Sequence, residues 1–550
     1  MTWSPPDIAL LEAGVAALQT AFDRARAYLK PRVTGAKGTL DGELLNAYQQ
    51  PAHGLAYFAC ELYGAREIVE YAKRTRAAGK PSDLELLIAS AYVAGALRRW
   101  TYGSDISGLE QIAATEIGID DAVVREVLRT PECVKLIEIA GGTAILSAIA
   151  ELVESRGSFG DFGIDDEILR DVQAQFQKFS DQVVAPIAEH VHRKDELIPL
   201  EIVSQLAEQG VFGITIPEQY GGTELGKMGM VIVTEELSRG YIGVGSLGTR
   251  AEIAGELIIT GGTEEQKAEW LPRLAAGEVM STAVFTEPNV GSDLASVKTR
   301  ATKQADGSWR LSGQKTWITH GSRADLMTVL ARTSDAPGYK GLSMFLATKT
   351  RGTEDNPFPD KTIEGSEIPV IGYRGMKEYE ISFDDHPVAA DALLGGQEGN
   401  GFKQLMATFE SARIQTAARG IGLARAAMEL AYRYATERKQ FGRQIFDFPR
   451  VHQKIARMVV DTQVARQLTY FAARMKESGK RCDLEAGMAK LLATKVAFFV
   501  SDAGLQIHGG NGYAEEYPIS RIFCDSRVLS IFEGANEIQA HVIARRLLED

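Results

Sequence analysis

Apolar residues recur at three- and four-residue spacing over residues 8–28, 55–72 and 84–97, which predicts amphipathic helices. Gly79-Lys80-Pro81-Ser82 breaks the pattern as a turn between the last two. Helical texture lasts to about residue 155, and Arg156 to Gly163 reads as a linker. A second helical stretch runs from Asp165 to about Gly277, with helices through Glu235, Ile253 and Trp270. Within it, Phe212 to Gly222 reads as a short extended piece ending in a turn. From Val279 the pattern changes to strands: 326–331 and 342–347 are short, apolar and bounded by turn residues. Asp306-Gly307-Ser308 predicts a hairpin turn between a strand ending near Lys303 and one starting at Trp309. The β region closes near Leu394, a Gly-rich junction spans 395–401, and helical periodicity resumes from Phe402 to Leu548. The order helices, helices, strands, helices predicts an α+β multidomain chain, divided at 1–155, 164–277, 278–395 and 396–550.

The chain has 550 residues, which is too long for one ordinary core. Its net charge of −13 argues against nucleic acid or an anionic membrane as the main partner. Cys60, Cys133, Cys482 and Cys524 are scattered without metal-ligand spacing and read as thiols of a reducing compartment. The N-terminus has no basic segment before an apolar core, and no apolar run reaches the length of a membrane span. The expected location is cytoplasmic.

Shifting the sequence by 400 residues superimposes two helical pieces without a gap. Ala65-Arg66 falls on Ala465-Arg466, Gly79-Lys80 on Gly479-Lys480, and Asp83-Leu84-Glu85 on Asp483-Leu484-Glu485. Turn residues agree as well as the apolar stripe, so residues 1–155 read as a decayed copy of the C-terminal helical domain. Two similar Ala-rich hairpins would give part of the same match.

Five stretches carry candidate chemistry. Ile531-Phe532-Glu533-Gly534 delivers a carboxylate on an apolar run, and Gly534 permits a sharp bend. Burial raises a carboxyl group's pKa, which suits a general base. From Asn536 the pattern is helical, with Ile538, Val542 and Leu548 on one face. Phe285-Thr286-Glu287-Pro288 with Gly291-Ser292-Asp293 is a loop able to bind a heterocycle edge or phosphate, or an ordinary surface turn. Trp317-Ile318-Thr319 is a strand whose Trp reads more readily as core than as cofactor wall. Arg438 with Phe441-Gly442 could pair a pyrophosphate and stack. Gln506 to Tyr513 is a Gly cluster after a helix; it is not the G-x-G-x-x-G fingerprint, and His508 within it reads as structural.

In order and spacing these stretches, with Ile216-Pro217-Glu218 and Tyr220-Gly221-Gly222, resemble the acyl-CoA dehydrogenase family over about residues 164 to 550. The resemblance implies a helical domain, a middle β-barrel and a C-terminal four-helix bundle, with FAD between barrel and bundle and reaching a neighbouring subunit. It implies that Glu533 removes the α-proton of an acyl-CoA thioester while flavin takes the β-hydrogen. It implies that a backbone NH near Glu533 helps to stabilise the developing enolate. Phe285, Thr286, Ser292, Trp317, Ile318 and Thr319 match residues around the isoalloxazine, and Ser292 also a substrate contact. Arg438, Phe441, Gln506, Gly509 and Gly510 match contacts to the pyrophosphate and adenosine half, donated across a dimer. Ala535 and Glu537 fall on further cofactor positions, and Gly534, Glu410 and Arg413 on substrate and CoA contacts. Ala412 occupies the position where some members carry the base, which favours Glu533.

Three departures stand out: Ala535 replaces a usual Thr, Pro449 a common Gln, and Met376-Lys377-Glu378 a Ser-x-Thr. The N-terminal extension resembles that of the branch oxidising (2S)-methylsuccinyl-CoA to mesaconyl-CoA in the ethylmalonyl-CoA pathway. Such a carboxylated substrate needs a buried cation, because an unpaired buried carboxylate is costly. Arg250 is the candidate; the competing reading pairs it with Glu252 or Glu256 at the surface. The resemblance further implies an electron-transfer flavoprotein as acceptor and, with the extension covering the bundle, a homodimer. Competing expectations are another short or branched acyl-CoA, an oxidase using dioxygen, and a flavin-less helical scaffold.

Overall fold

The computed structural model describes residues 6–549. The chain forms two compact units: one joins the residues up to Arg170 with those from Thr416 onward, the other is residues 171–415.

In the first unit, helix Ile8–Leu29 buries Leu11, Leu18, Phe22 and Leu29 on one face. Helix Asp83–Trp100 is apolar on nearly all sides from Leu84 to Leu97 and accordingly lies inside the unit. Asp83 and Glu85 in its first turn suit the positive end of the helix dipole. It stops at Trp100, whose indole N–H donates to the Glu61 carboxylate at 2.7 Å. A small antiparallel hairpin comes next, β1 (Gly103–Asp105) with β2 (Gln111–Ala113).

Helices and turn glycines recur at the same 400-residue offset. Helix Gln49–Ala77 and helix Pro449–Glu477 each have 29 residues. Each is followed by a left-handed glycine, Gly79 at φ 69° and Gly479 at φ 72°. The next helices start at Asp83 and Asp483. The copies then diverge, because Asp483–His508 runs past the point where the first copy turns into its hairpin. The two copies pack on each other: a Cβ built on Gly64 would lie 2.8 Å from Val464 Cγ1.

The linker is held tightly. Gln463 donates to the carbonyls of Phe159 and Asp161 at 3.2 and 3.1 Å, and Gln467 to that of Phe162 at 2.9 Å. The Phe162 ring lies under Arg425 and Arg466, with guanidinium carbons 4.7 and 4.8 Å from its centroid.

The last helix, Asn536–Glu549, buries Gln539, Ala540, Ile543, Ala544, Leu547 and Leu548. The expected face of Ile538 and Val542 is displaced by one position, because Gln539 turns inward to hold the preceding loop.

In the second unit, helices Gly226–Gly240, Ile242–Gly261 and Glu264–Ala275 precede the sheet. The third starts in a capping box, Thr263 accepting from Gln266 N–H while the Gln266 side chain accepts from Thr263 N–H. The segment expected to be extended, Phe212 to Gly222, is instead two 3₁₀ turns, Val211–Gly213 and Glu218–Tyr220. Its glycines explain the difference. Gly210 and Gly221 are left-handed, and a Cβ on Gly222 would lie 1.9 Å from the Ile216 carbonyl oxygen.

The β layer is a seven-stranded half-barrel: β3 (Ser281–Val284), β4 (Arg300–Lys303), β5 (Trp309–Thr319), β6 (Leu326–Arg332), β7 (Leu342–Thr348), β8 (Ile363–Ile368) and β9 (Glu378–Val388). The order is β3-β6-β4-β5-β9-β8, with β7 also on β6. The β4–β5 hairpin turns at the expected Asp306-Gly307-Ser308, whose Asp306 carboxylate accepts from Ser308 N–H at 2.9 Å. Its inner face buries Trp309, Leu311, Phe345, Ile381 and Phe383.

Among the described residues no single helix is long and apolar enough to cross a membrane. Pro131–Ala140 and Thr143–Arg156 reach that hydropathy only as a pair bent by 54°.

Candidate active site

In the first unit the site is built on the loop between helices Pro518–Val528 and Asn536–Glu549. Glu533 and Gly534 are consecutive left-handed residues, φ 52° and 84°. Glu533 bears a steric cost there that Gly534 does not, and such strain persists only where the surroundings enforce it. The enforcement is visible. Lys490, fully buried on helix Asp483–His508, donates to the Gly534 carbonyl at 2.8 Å and to Asn536 Oδ1 at 3.0 Å. Gln539 Nε2 donates to the carbonyls of Glu533 and Gly534 at 3.2 and 3.1 Å. Thr494 donates to Asn536 Oδ1 at 3.1 Å. The Arg419 guanidinium sits over the Phe532 ring at 4.8 Å. Glu533 is half-buried on this turn; Ala535 comes after it, half-buried, and Glu537 is exposed in the first turn of the helix.

A second cluster in the same unit gathers Arg438, Phe441, Gln506, Gly509 and Gly510. Arg438 ends helix Gly401–Glu437, and Phe441 tips a two-residue turn between β10 (Lys439–Gln440) and β11 (Arg443–Gln444). Phe441 is 92% exposed with φ 53°. Tyr434 stacks on His508 with centroids 4.3 Å apart, and Asn511 donates to the Tyr434 hydroxyl at 3.0 Å. These contacts join the two helix ends and give His508 the structural role expected of it. Gly509 and Gly510 are exposed, and a Cβ on either would meet nothing within 4 Å. This cluster and the Glu533 loop are not brought together in one chain: Lys490 and Gln506 lie on one helix, about 24 Å apart along its axis.

In the second unit, the Phe285–Asp293 loop follows β3, and the Thr286 carbonyl accepts from Thr316 N–H at 3.0 Å. That bond sets Thr286 beside Trp317. Trp317 is 56% exposed, not core, because β5 carries a bulge between Lys315 and Ile318 against β9. Its φ of 58° belongs to that bulge. Ile318 and Thr319 are buried behind it, and the Thr319 hydroxyl donates to Glu378 at 2.8 Å. Ser292 is exposed on the loop. Below the loop, fully buried Lys315 pairs with Glu287 at 3.1 Å. Burial pushes the Lys315 ammonium down to about 8 against the opposing pull of Glu287. Phe409 meets Phe285 edge to face at 6.4 Å, which brings Glu410 and Arg413, both half-buried, to the same loop.

Arg250 is 8% exposed on helix Ile242–Gly261. It lines one pocket with Phe212, Leu247, Met280, Ser281 and His320. Glu252 and Glu256, expected at the surface, are themselves buried, and each pairs with Lys227, at 2.7 and 2.9 Å. His320 Nε2 lies 3.3 Å from Met280 Sδ. Burial, then the charges of Arg323 and Arg250, push the His320 ring down to about 3.

Lys490, Gln539 and Arg419 are absent from the sequence reading. The available signal was a lysine inside the apolar run Met488-Ala489-Lys490-Leu491-Leu492 of a buried helix. In the first unit, exposed Phe441, bare glycine backbone and Arg438 suit the phosphate and adenine part of a dinucleotide; in the second, exposed Trp317 with the Thr286 and Ser292 hydroxyls suits a fused ring system.

Three family models match: the acyl-CoA dehydrogenase N-terminal domain over residues 166–278, the middle domain over 282–386 and the C-terminal domain over 399–548. The (2S)-methylsuccinyl-CoA dehydrogenase of Cereibacter sphaeroides is 53% identical over 97% of this chain and 96% of its own. Acryloyl-CoA reductase (NADH) of Anaerotignum propionicum is 36% identical over 70% of this chain and 95% of its own. Among solved structures, butyryl-CoA dehydrogenase from Megasphaera elsdenii superposes with a TM-score of 0.66 at 32% identity, covering 70% of this chain and 98% of its own. The glutaryl-coenzyme A dehydrogenase complex with glutaryl-CoA gives 0.65 at 30%, covering 69% and 94%.

Proposed function

The chain belongs to the acyl-CoA dehydrogenase family, and from that premise we propose that it oxidises (2S)-methylsuccinyl-CoA to mesaconyl-CoA with Glu533 as the base. The family's enzymes are FAD-dependent oxidoreductases of acyl-CoA thioesters. The observation that carries the substrate reading is the end-to-end likeness to a (2S)-methylsuccinyl-CoA dehydrogenase, N-terminal extension included.

Glu533 takes the α-proton. Its half-buried carboxylate stands on a turn held by Lys490 and Gln539, so it can meet the substrate with little reorganisation. A backbone NH near it donates to the thioester oxygen as enolate character develops. FAD, when bound, supplies the acceptor for the β-hydrogen. Phe285, Thr286, Ser292, Trp317, Ile318 and Thr319 of the second unit would hold its ring, and Ala535 and Glu537 match further cofactor contacts. Arg438, Phe441, Gln506, Gly509 and Gly510 would hold the adenosine half of a partner chain's cofactor. Glu410, Arg413 and Gly534 contact the CoA thioester. Arg250 receives the substrate's free carboxylate in a buried setting where a cation is worth most. The electrons leave to an electron-transfer flavoprotein.

The test is a panel of straight-chain, branched and dicarboxylic acyl-CoA esters with an artificial acceptor, run on the wild type and on Glu533→Gln. The amide keeps the shape and removes the base. Methylsuccinyl-CoA should give the highest kcat/KM, and Glu533→Gln should bind flavin but turn over below a tenth of the wild-type rate. Faster turnover with intact flavin would place the base elsewhere.

A further inference from the structure

We infer that Lys490 is a positioning residue for Glu533: its ammonium, together with the Gln539 amide, sets the strained turn from which the base's carboxylate projects. This rests on Glu533 being the base.

Two successive left-handed residues are an expensive way to build a loop when the first carries a Cβ. The backbone carbonyls of those two residues accept three hydrogen bonds from two buried side chains, Lys490 Nζ to Gly534 and Gln539 Nε2 to Glu533 and Gly534. Each accepted bond fixes the plane of a peptide, and the planes on either side of a residue fix its φ and ψ. The Glu533 and Gly534 carbonyls belong to the two planes that flank Gly534, so the clamp fixes that residue and, through the shared 533–534 peptide, one of the two planes that set how the Glu533 side chain leaves the backbone.

Lys490 also orders the start of the last helix. It donates to Asn536 Oδ1, which accepts from Thr494 as well, so the same ammonium clamps both the turn and the helix's first residue. A buried ammonium is costly unless its hydrogen bonds are made. A fully buried lysine directed at a main-chain carbonyl and an amide oxygen serves geometry, not packing. Gly534 completes the device: a Cβ there would lie 2.3 Å from Gln539 Nε2, so only glycine lets the clamp close.

The experiment uses the flavin-loaded enzyme with the best substrate of the panel and its α-deuterated form. Lys490→Met keeps the length of the stem and removes the three donors. The expected result is a fall in kcat of about 100-fold, the cost of a base displaced by about 1 Å. KM should stay within threefold, flavin content should match the wild type, and the α-deuterium isotope effect on kcat should rise as proton abstraction becomes the slow step. Gln539→Leu should show the same pattern at smaller size, and it decides the matter if Lys490→Met does not fold. A kcat within threefold of wild type, or a loss of activity that tracks flavin loss with an unchanged isotope effect, would overturn the inference. If Glu533→Gln stays active, the base assignment fails instead, so the two failures are distinct.

Discussion

Glu67 accepts a hydrogen bond from Arg474 at 3.1 Å, and its image 400 residues on, Gln467, accepts one from Arg74 at 3.3 Å. The same reciprocity recurs further along. The Lys495 ammonium lies 5.0 Å from the Tyr57 ring, and in the mirrored pair a Cβ on Gly95 would be 3.7 Å from Arg457 Nη1. Residue i of one copy meets residue j of the other, and j meets i. That is the signature of a two-fold isologous contact, here within one chain. Gly64 and Val464 occupy equivalent positions and meet each other, which places them on the pseudo-axis.

Gly64→Val should therefore loosen the docking of the N-terminal copy. The built Cβ is already 2.8 Å from Val464 and 3.0 Å from the Tyr92 hydroxyl, so a branched side chain overpacks the axis. The expected cost is about 1–3 kcal/mol. It should appear as a lower urea midpoint and faster proteolysis of the first 155 residues. An unchanged midpoint would mean that the interface yields without strain.

The repeat was legible because turn glycines and helix starts recur with the apolar stripe, as at Gly79 and Gly479. Strand positions were legible for the same kind of reason: 326–332 and 342–348 are apolar runs bounded by turn residues. Taken by itself Trp317 reads as core, because a bulge reverses the side that a residue faces and strict alternation cannot reveal an extra residue. The last helix was misjudged by one position because Gln539 is polar yet fully buried, its partners being main-chain carbonyls of a loop. Lys490 escaped for the same reason. Side chains that serve the backbone leave no periodic trace.

Arg250→Leu should separate substrates. The guanidinium is buried in a pocket with Ser281 and His320. Losing the charge partner of a buried carboxylate costs about 3–5 kcal/mol. The kcat/KM for a dicarboxylic acyl-CoA should fall by two orders of magnitude or more, and that for a neutral branched one by little. Equal losses on both would show that Arg250 serves the fold.

His320 gives the stability profile a defined acid limb. Burial and then three arginines, Arg323, Arg250 and Arg351, hold its ring at about 3, below the ordinary 6.5. Between those values the unfolded chain binds a proton that the folded chain does not, so stability is full above pH 6.5 and falls as pH drops toward 3. The slope from this group is up to about 1.4 kcal/mol per pH unit. His53, held at about 4 by burial and then by His541, has the same sign. His320→Asn should flatten the limb, since asparagine accepts the left-handed φ of 64° and does not titrate. Urea midpoints at about pH 7 and about pH 4.5, on either side of the ordinary histidine value, measure it. An identical fall in both proteins would mean that His320 is not the group responsible.

The last prediction concerns assembly. Arg438, Phe441, Gln506, Gly509 and Gly510 form one cluster, yet about 24 Å of helix separates it from Lys490 and the Glu533 loop. On the proposed function that cluster serves another chain's cofactor, so the enzyme is expected to be at least a dimer. The N-terminal copy pairs with the C-terminal helices along the pseudo-two-fold, so a second dimer is not expected on that face. The first copy also ends its helix at Trp100, and its counterpart of Gln506 is Ile106 in the hairpin region, so no second cofactor is expected there. Light scattering should report a homodimer with one flavin per chain; a tetramer or two flavins per chain would sink this arrangement. Complementation tests the exchange directly. Arg438→Ala should cripple the partner's site and Glu533→Gln its own. Co-expressed, half the dimers should be mixed and each should regain one of two sites, about a quarter of wild-type activity. Activity no higher than that of either variant alone would show that each chain completes its own site.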